Sequence, residues 1–303
     1  MKKKLFTGIV DKNVSIGPAF YRISLCLDCD GTKAFSKVIP GQFAEISLCN
    51  ISLPAPENIP EELTDIARRQ IILRRPFSFC DVRTALSDDS EQVCIDILYC
   101  VVGPATLRMT TLKEGDSISL IGPLGNGFSI PDRKKYALVV AGGMGAPPLL
   151  HLAKILKNEY QGIDIVSMIG ARTVNALPLG AEDFSQYAST QLLATDDASA
   201  GSGGFVTHHL EDWLRGNSSA VTDTIIYSCG PEPMLAEVAK LAAKYNVPCQ
   251  VSIERLMACG IGLCQSCAVE TKTVDKNETV YKLCCKDGPV FDSREVIFGT
   301  NNE

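Results

Sequence analysis

Three thiols fall within nine residues of one another in the stretch "MACGIGLCQSC": Cys259, Cys264 and Cys267. The spacing is C-x4-C-x2-C, and a fourth thiol follows after a further 16 or 17 residues, because Cys284 and Cys285 are adjacent in "LCCKDGPVF". Structural zinc sites usually pair one C-x2-C with a second, or with histidine. Here the first gap is four, and the three histidines, His151, His208 and His209, lie far upstream. A four-then-two spacing is that of plant-type two-iron clusters. Two bridged irons need a wider wrap than one zinc ion, and a loop curled tightly enough to aim backbone N–H groups at sulfur. Gly260 and Gly262 permit that curl, since glycine accepts positive φ and close backbone approach. The pattern favours a [2Fe–2S] cluster over a zinc ion. It leaves Cys284 and Cys285 as alternatives for the last ligand, since adjacent residues project differently and one of them is enough.

A second chemistry is written in glycines. "VVAGGMGAPPLL" puts Gly142, Gly143 and Gly145 where a strand gives way to a helix. There a backbone can approach a diphosphate while the helix N-terminus supplies aligned N–H donors. It is not the full G-x-G-x-x-G fingerprint, because Pro148 stands where the third glycine belongs. A second turn, "SCGPEPM" with Cys229 and Gly230, closes a later strand. Both turns are expected at the carboxyl ends of parallel strands, where such sheets bind dinucleotides. At the next strand end the usual ribose-binding acid is replaced by Arg172 in "MIGARTVN", so pattern alone leaves NAD and NADP open. Earlier, "LRRPFSF" sets Arg74, Arg75 and Ser78 around a proline. An arginine fork matches a diphosphate, although an ordinary strand with one exposed edge would read the same way.

These residues need elements to hold them. The first 130 residues are rich in short strand-like runs, "LFTGIV", "YRISLCL", "FAEISLC", "QIILRRPFSF", "VCIDILYCVVG" and "DSISLIG", separated by turn signals such as Asp30-Gly31 and Pro40-Gly41. That spacing predicts an antiparallel β-barrel. Residues 50–70, with their prolines and a short acidic helical piece, read as an inserted surface loop. From Tyr136 strands and helices alternate: "YALVVAGG", "PPLLHLAKILKNEY", "IDIVSMIGAR", "HHLEDWL", "TIIYSCG" and "PEPMLAEVAKLAAKY". That alternation predicts a parallel α/β sheet. The expected organisation is a β-barrel over 1–130, an α/β domain over 131–250 and a small C-terminal cysteine module over 251–303.

Composition narrows the partners. The 303 residues carry a net charge of −6, with a pI near 5.3. This argues against a nucleic-acid surface, which shows a basic excess. The basic run Lys2 to Lys4 is followed by only about six apolar residues before Asp11 and Lys12, too few for a signal peptide. No stretch supplies the roughly 18–20 unbroken apolar residues of a membrane span. The expectation is a soluble, cytoplasmic chain. Thirteen cysteines is an odd number and does not read as a disulfide framework. Cys26, Cys49, Cys80, Cys94 and Cys100, each alone in an apolar run, are expected to be small buried hydrophobes.

Taken together, the motifs resemble a family. R-P-x-S in the barrel, "GPLGNGF", the G-G-x-G-x-x-P loop, C-G-P-x-P-M, C-x4-C-x2-C and C-x-D-G-P-V-F succeed one another in this order from about Phe6 to Phe291. The chain is similar to the electron-transfer subunit of NAD-dependent (B-type) dihydroorotate dehydrogenase, within the ferredoxin reductase superfamily. The resemblance implies FAD along Arg75, Pro76, Phe77 and Ser78, and along "LYCVVGPAT", that is Leu98, Tyr99, Cys100, Ala105 and Thr106. The family usually has arginine where Cys100 stands and glycine where Ala105 stands, so contacts there would come mainly from the backbone. It implies NAD at Gly143, Gly145, Cys229 and Gly230, and it selects Cys285 over Cys284 as the ligand before "KDGPVF".

The function that the resemblance implies is that of an oxidoreductase subunit. It would channel electrons between NAD and an FMN-containing catalytic subunit through FAD and a [2Fe–2S] cluster, in pyrimidine synthesis. The family arrangement implies a heterotetramer of two catalytic and two electron-transfer chains. Cofactors do such chemistry while the protein orients them, so no residue is expected to act as a general acid or base. Alternatives are a small subunit of another NAD(P)H:ferredoxin or sulfide-type oxidoreductase, and a zinc-stabilised binding module without redox activity.

Overall fold

The computed structural model describes residues 4–87, 90–131, 133–177, 181–273 and 278–299. Lys2 and Lys3 of the basic run lie outside them. The chain divides into two compact units: Met1–Val38, Gln42–Leu124 and Met257–Ser266 form the first, and Ile39–Gly41, Gly125–Leu256 and Cys267–Glu303 the second.

The first unit holds β1 (Leu5–Ser15), β2 (Phe20–Leu27), α1 (Cys29–Phe35), β3 (Phe43–Ile46), α2 (Thr64–Ala67), β4 (Arg75–Ser78), β5 (Asp81–Ser87), β6 (Ser90–Cys100), α3 (Pro104–Met109) and β7 (Ser117–Leu124). The strands make one seven-stranded sheet in the order β4-β3-β7-β1-β2-β6-β5, with every neighbouring pair antiparallel. The expected barrel is therefore a half-barrel, with β4 and β5 at its two hydrogen-bonding ends. Its core is built by Phe6, Ile23, Leu25, Ile46, Ile95 and Leu120. Phe35 joins them from α1, edge-on to Phe6 at 5.7 Å and to Phe79 at 5.8 Å.

Asp30-Gly31, read from sequence as a turn, instead lies in the first turn of α1. The carboxylate of Asp28 accepts the N–H of Gly31 at 2.7 Å, and this N-cap starts a helix where composition suggested a bend. Another correction concerns Cys26 and Cys94. They stand directly opposite in the β2–β6 register, Cα atoms 4.0 Å apart, and are joined as a disulfide rather than being two separate buried thiols. The 50–70 insertion folds onto α3. Leu63 and Ala67 pack with Leu107, and Arg108 donates to the carbonyl of Ala67 at 3.0 Å.

The second unit holds β8 (Tyr136–Gly142), α4 (Ala146–Glu159), β9 (Asp164–Ala171), α5 (Ala181–Ser185), β10 (Thr190–Thr195), β11 (Ser202–Gly203), α6 (Val206–Gly216), β12 (Thr224–Cys229), α7 (Glu232–Lys244), β13 (Cys249–Ser252), β14 (Ala268–Lys272), β15 (Thr279–Leu283) and β16 (Val290–Asp292). Its sheet runs β11-β10-β9-β8-β12-β13-β16. All neighbours are parallel except β16, which lies antiparallel on β13. Leu138, Val139 and Val140 of β8 are fully buried, as befits a central strand covered on both faces. From β8 the chain winds one way to β9 and β10, then returns to add β12 and β13 on the other side. The switch point of the sheet thus lies between β8 and β12. β14 and β15 form a separate two-stranded hairpin. Among the described residues, no helix is long and apolar enough to cross a membrane.

Candidate functional site: two glycine turns and a cysteine loop

At the switch point the two glycine turns meet. β8 runs into the turn Gly143–Gly145, and α4 starts at Ala146. A side chain on Gly145 would collide with the carbonyl of Cys229 and come within 2.6 Å of the Gly230 nitrogen. The backbones after β8 and β12 therefore touch, and only hydrogen fits between them. This places Gly143, Gly145, Cys229 and Gly230 together outside the carboxyl ends of adjacent strands, where open α/β sheets bind ligands.

Burial pushes the half-buried Cys229 thiol up to about 12, with Glu254 adding to the shift and a Ser252 hydrogen bond opposing it. A thiol so raised stays protonated near neutral pH and is a poor nucleophile. Beside it a cleft of about 390 Å3 is lined by Gly230, Glu232, Ile253, Glu254 and Arg255. Arg255 Nη1 pairs with Glu232 at 2.8 Å in its wall. Arg172 is exposed just past β9, and its carbonyl accepts the N–H of Asp197 at 3.4 Å. Asp197, which the sequence reading did not single out, is an acid at the neighbouring strand end. Hydrogen bonds from Ser199 hold its carboxyl below the ordinary range.

In the first unit, Arg75, Pro76, Phe77 and Ser78 make up β4, an edge strand that among the described residues pairs with β3 alone. All four residues are half-buried. Such an edge, half-covered and carrying a cation, suits a flat phosphate-bearing group. The second stretch is more enclosed. Tyr99 is buried in the half-barrel core, stacked on Tyr21 at 5.4 Å, and donates its hydroxyl to Asn13 at 3.2 Å. Leu98 and Ala105 are also buried. Thr106 Oγ1 accepts the N–H of Val102 at 3.0 Å and donates to the carbonyl of Gly103, fixing the turn between Cys100 and α3.

The cysteine loop is wound around one sulfur. Cys259 Sγ accepts the N–H groups of Ile261 at 3.5 Å, Leu263 at 3.4 Å and Cys264 at 3.4 Å. Three donors converging on one sulfur suit a thiolate that carries charge to a metal. Gly260, at φ +64°, makes the curl. Ser266 bonds Cys264 at 3.2 Å; together with Cys259 it pulls the exposed Cys264 thiol down to about 6, favouring the form that binds metals.

In the second unit, Cys267 Sγ accepts the N–H of Cys285 at 3.4 Å. The neighbouring Cys284 is committed elsewhere. It is fully buried, donates its thiol to the carbonyl of Ile253 at 3.2 Å, and is pushed up to about 12 by burial. Cys259 and Cys264 belong to the first unit, and Cys267 and Cys285 to the second. Among the described residues, no three His, Cys, Asp or Glu side chains stand grouped closely enough to hold a metal ion. The donors pointed at sulfur are what fit the cluster.

One residue near the loop escaped the sequence reading altogether. Glu45 on β3 is fully buried, and neither carboxylate oxygen has a hydrogen-bond partner among the described residues. Burial pushes its carboxyl up to about 7, against the charges of Arg74 and Arg75 and with a smaller push from Cys264.

The chain is similar to known proteins along nearly its whole length. Residues 254–297 match the iron–sulfur cluster binding domain of dihydroorotate dehydrogenase B, which sets the zinc reading aside. The chain is 32% identical over 301 residues to the electron transfer subunit of dihydroorotate dehydrogenase B (NAD(+)) of Clostridium acetobutylicum, covering 98% of this chain and 99% of that protein. With the corresponding subunit of Caldanaerobacter subterraneus subsp. tengcongensis the identity is 38% over 226 residues, 75% of this chain and 81% of the relative. Among solved structures, that of an NADH-dependent reduced ferredoxin–NADP oxidoreductase superposes with a TM-score of 0.71 at 27% identity, covering 96% of this chain and 90% of the other. By its paired glycine turns, its half-barrel and its cysteine loop, as by these likenesses, the chain belongs to the family of electron transfer subunits of NAD-dependent dihydroorotate dehydrogenase B.

Proposed function

We propose that this chain carries electrons between NAD and an FMN-bearing catalytic subunit that oxidises dihydroorotate, through FAD and a [2Fe–2S] cluster held by Cys259, Cys264, Cys267 and Cys285. The observation that carries the reading is the set of three backbone donors on Cys259 Sγ, a loop already shaped for a charged sulfur. When bound, the nicotinamide supplies electrons in pairs as hydride, the cluster carries them singly, and the flavin converts one into the other.

The residues divide the work of holding these groups. Gly143, Gly145, Cys229 and Gly230 let a nicotinamide nucleotide lie against bare backbone. Asp197 beside Arg172 favours a ribose hydroxyl over a phosphate, and hence NAD. Arg75, Pro76, Phe77 and Ser78 line the flavin with a cation and a hydroxyl, while Leu98, Tyr99, Cys100, Ala105 and Thr106 frame it through their backbone. The engagement of Cys284 with Ile253 supports Cys285 as the fourth ligand. Association as two catalytic and two electron-transfer chains completes the proposal, with 1–130, 131–250 and 251–303 as the FAD, NAD and cluster regions.

Anaerobic purification of the chain tests it. The expected result is bound FAD, two irons per chain, NADH–dye reductase activity, and dihydroorotate-dependent NAD reduction once the catalytic subunit is added. A folded, metal-loaded chain that lacked FAD and NADH–dye activity would refute the proposal. Transfer to ferredoxin, but not to the dihydroorotate-oxidising subunit, would assign the chain to a different partner with the same carriers.

A further inference from the structure

Glu45 is the buried polar group with the least explanation. It is 0% exposed, and both of its carboxylate oxygens lack a hydrogen-bond partner among the described residues. Leaving such a group unsatisfied is destabilising, the more so if it is charged, and an orphan of this kind calls for a partner. The neighbouring arginines are occupied with other groups. Arg74 donates to the carbonyl and hydroxyl of Ser119, at 2.9 and 3.1 Å, and reaches only the backbone carbonyl of Glu45, at 3.4 Å. Arg75 donates to the carbonyls of Leu73 at 2.8 Å and Arg74 at 3.1 Å.

The strand itself aims the acid. Ala44 and Ile46 face the half-barrel core, so alternation sends Glu45 to the opposite face. An extra residue on β7, between the register pairs Phe43–Leu124 and Glu45–Ile121, bends the sheet at this point. Lying on that face is Gly260. A Cβ on Gly260 would overlap Oε1 and Cγ of Glu45 and stand 2.6 Å from its Cδ. The backbone of the cysteine loop therefore rests directly on the carboxyl group, one residue beyond Cys259.

We propose that Glu45 is a positioning residue of the iron–sulfur site: it seats the 259–264 loop through Gly260 and offers a hydrogen-bonding carboxyl to the inner side of that loop when the cluster is in place. The inference deepens the proposed cluster function and rests on it. Outer partners of a metal site are worth about 10–100-fold in metal affinity, and hydrogen bonding around the sulfurs sets the cluster's potential.

The test uses the full-length chain, reconstituted anaerobically, as wild type and as Glu45→Gln, Glu45→Met and Glu45→Asp. Iron per chain, the electron paramagnetic resonance spectrum after dithionite and the cluster midpoint potential are read for each, alongside a thermal melt. Glu45→Gln keeps both shape and hydrogen bonding and is expected to keep the wild-type spectrum and potential. Glu45→Met keeps the length but loses the hydrogen bond, and Glu45→Asp keeps the group but withdraws it. Each is expected to move the reduction equilibrium about tenfold, or about 59 mV for a one-electron couple, with altered g-values.

If either folded variant reproduces the wild-type spectrum and potential, the proposal is overturned; should Glu45→Met fail to fold, Glu45→Asp carries the decision. A Gln variant shifted as far as the Met variant also overturns it. A wild-type chain with full iron and no signal after reduction would defeat the cluster reading itself. Unchanged variants beside a normal wild-type signal would defeat only the role of Glu45.

Discussion

Asn126 is fastened to Gly288. Its backbone N–H donates to the Gly288 carbonyl at 2.6 Å, and its side-chain amide donates to the carbonyl of Asp287 at 3.0 Å, 161 residues away in sequence. A further bond runs from the same amide to the Lys286 carbonyl at 3.4 Å. The turn so clamped is the one immediately after Cys285, and Asp287 in turn accepts the N–H of Leu283 at 2.8 Å.

Removing that amide should loosen the last cysteine without touching it. Asn126→Ala forfeits the side-chain bonds, about 1–2 kcal/mol of local stability, and leaves the carbonyls of Lys286 and Asp287 to water. The expected outcome is a lower melting temperature and a lower iron content per chain, with FAD content unchanged. Asn126→Asp should behave alike, because a carboxylate cannot donate to a carbonyl. Metal analysis and a thermal melt on the same preparations check both.

The adjacent cysteines give a sharper contrast. Cys284→Ala should keep iron at the wild-type level, since its thiol is spent on the Ile253 carbonyl. Cys285→Ala should lose iron. Cys264→Ser should abolish electron delivery to the catalytic subunit while leaving flavin reduction by NADH largely intact. Stopped-flow bleaching of the flavin, set beside coupled turnover, separates the two activities; their equal loss in a folded protein would contradict separate carrier roles.

Gly145 tests the nucleotide site. Gly145→Ala forces a methyl group into the Cys229 carbonyl and the Gly230 nitrogen. Overpacking of this kind costs about 1–3 kcal/mol. The expected outcome is a rise in KM for NADH and a fall in dye reduction, with iron and FAD contents retained. Steady-state kinetics with cofactor analysis on the same sample would show it.

Stability should fall as pH rises through a window set by Glu45. Its carboxyl moves from an ordinary 4.5 up to about 7 in the folded chain, so between those values the folded state holds a proton that the unfolded state has released. The slope is then negative, up to about 1.4 kcal/mol per pH unit. The stabilisation is full below about 4.5 and gone above about 7. Denaturant melts of the apoprotein should show this decline in the wild type, and Glu45→Gln should remove that component.

How far the sequence alone leads varies by element. The apolar runs "YALVVAGG" and "TIIYSCG" are β8 and β12, legible because each is too short for a helix, holds β-branched residues and stops at glycine. β5, "DVRTALS", has no such run; it is held by pairing with β6, and pairing partners are not written locally. The same limit hid the Cys26–Cys94 bond, which exists because the β2–β6 register sets those two residues opposite. α1 was legible in principle, since Asp28 is a good cap three residues before Gly31, but Asp-Gly is also a common turn.

At the candidate site the loop around Cys259 was legible from glycine and cysteine spacing, as was the meeting of the two glycine turns. Glu45 was not. In "FAEIS" it occupies the polar place of an alternating strand and looks solvent-facing, and what covers it arrives from a distant part of the chain. Asn126 lies in "GPLGNGF", yet its task is visible only when Gly288 stands beside it.

The antiparallel strand β16 has a practical consequence for anyone wishing to move the iron-binding segment into another protein. It seals the outer edge of β13, and an edge left open would invite pairing between molecules. The segment is thus not a cassette joined by a tether that can be cut and grafted. Whoever transplants it must bring along the border of the sheet it closes, or supply a substitute hem.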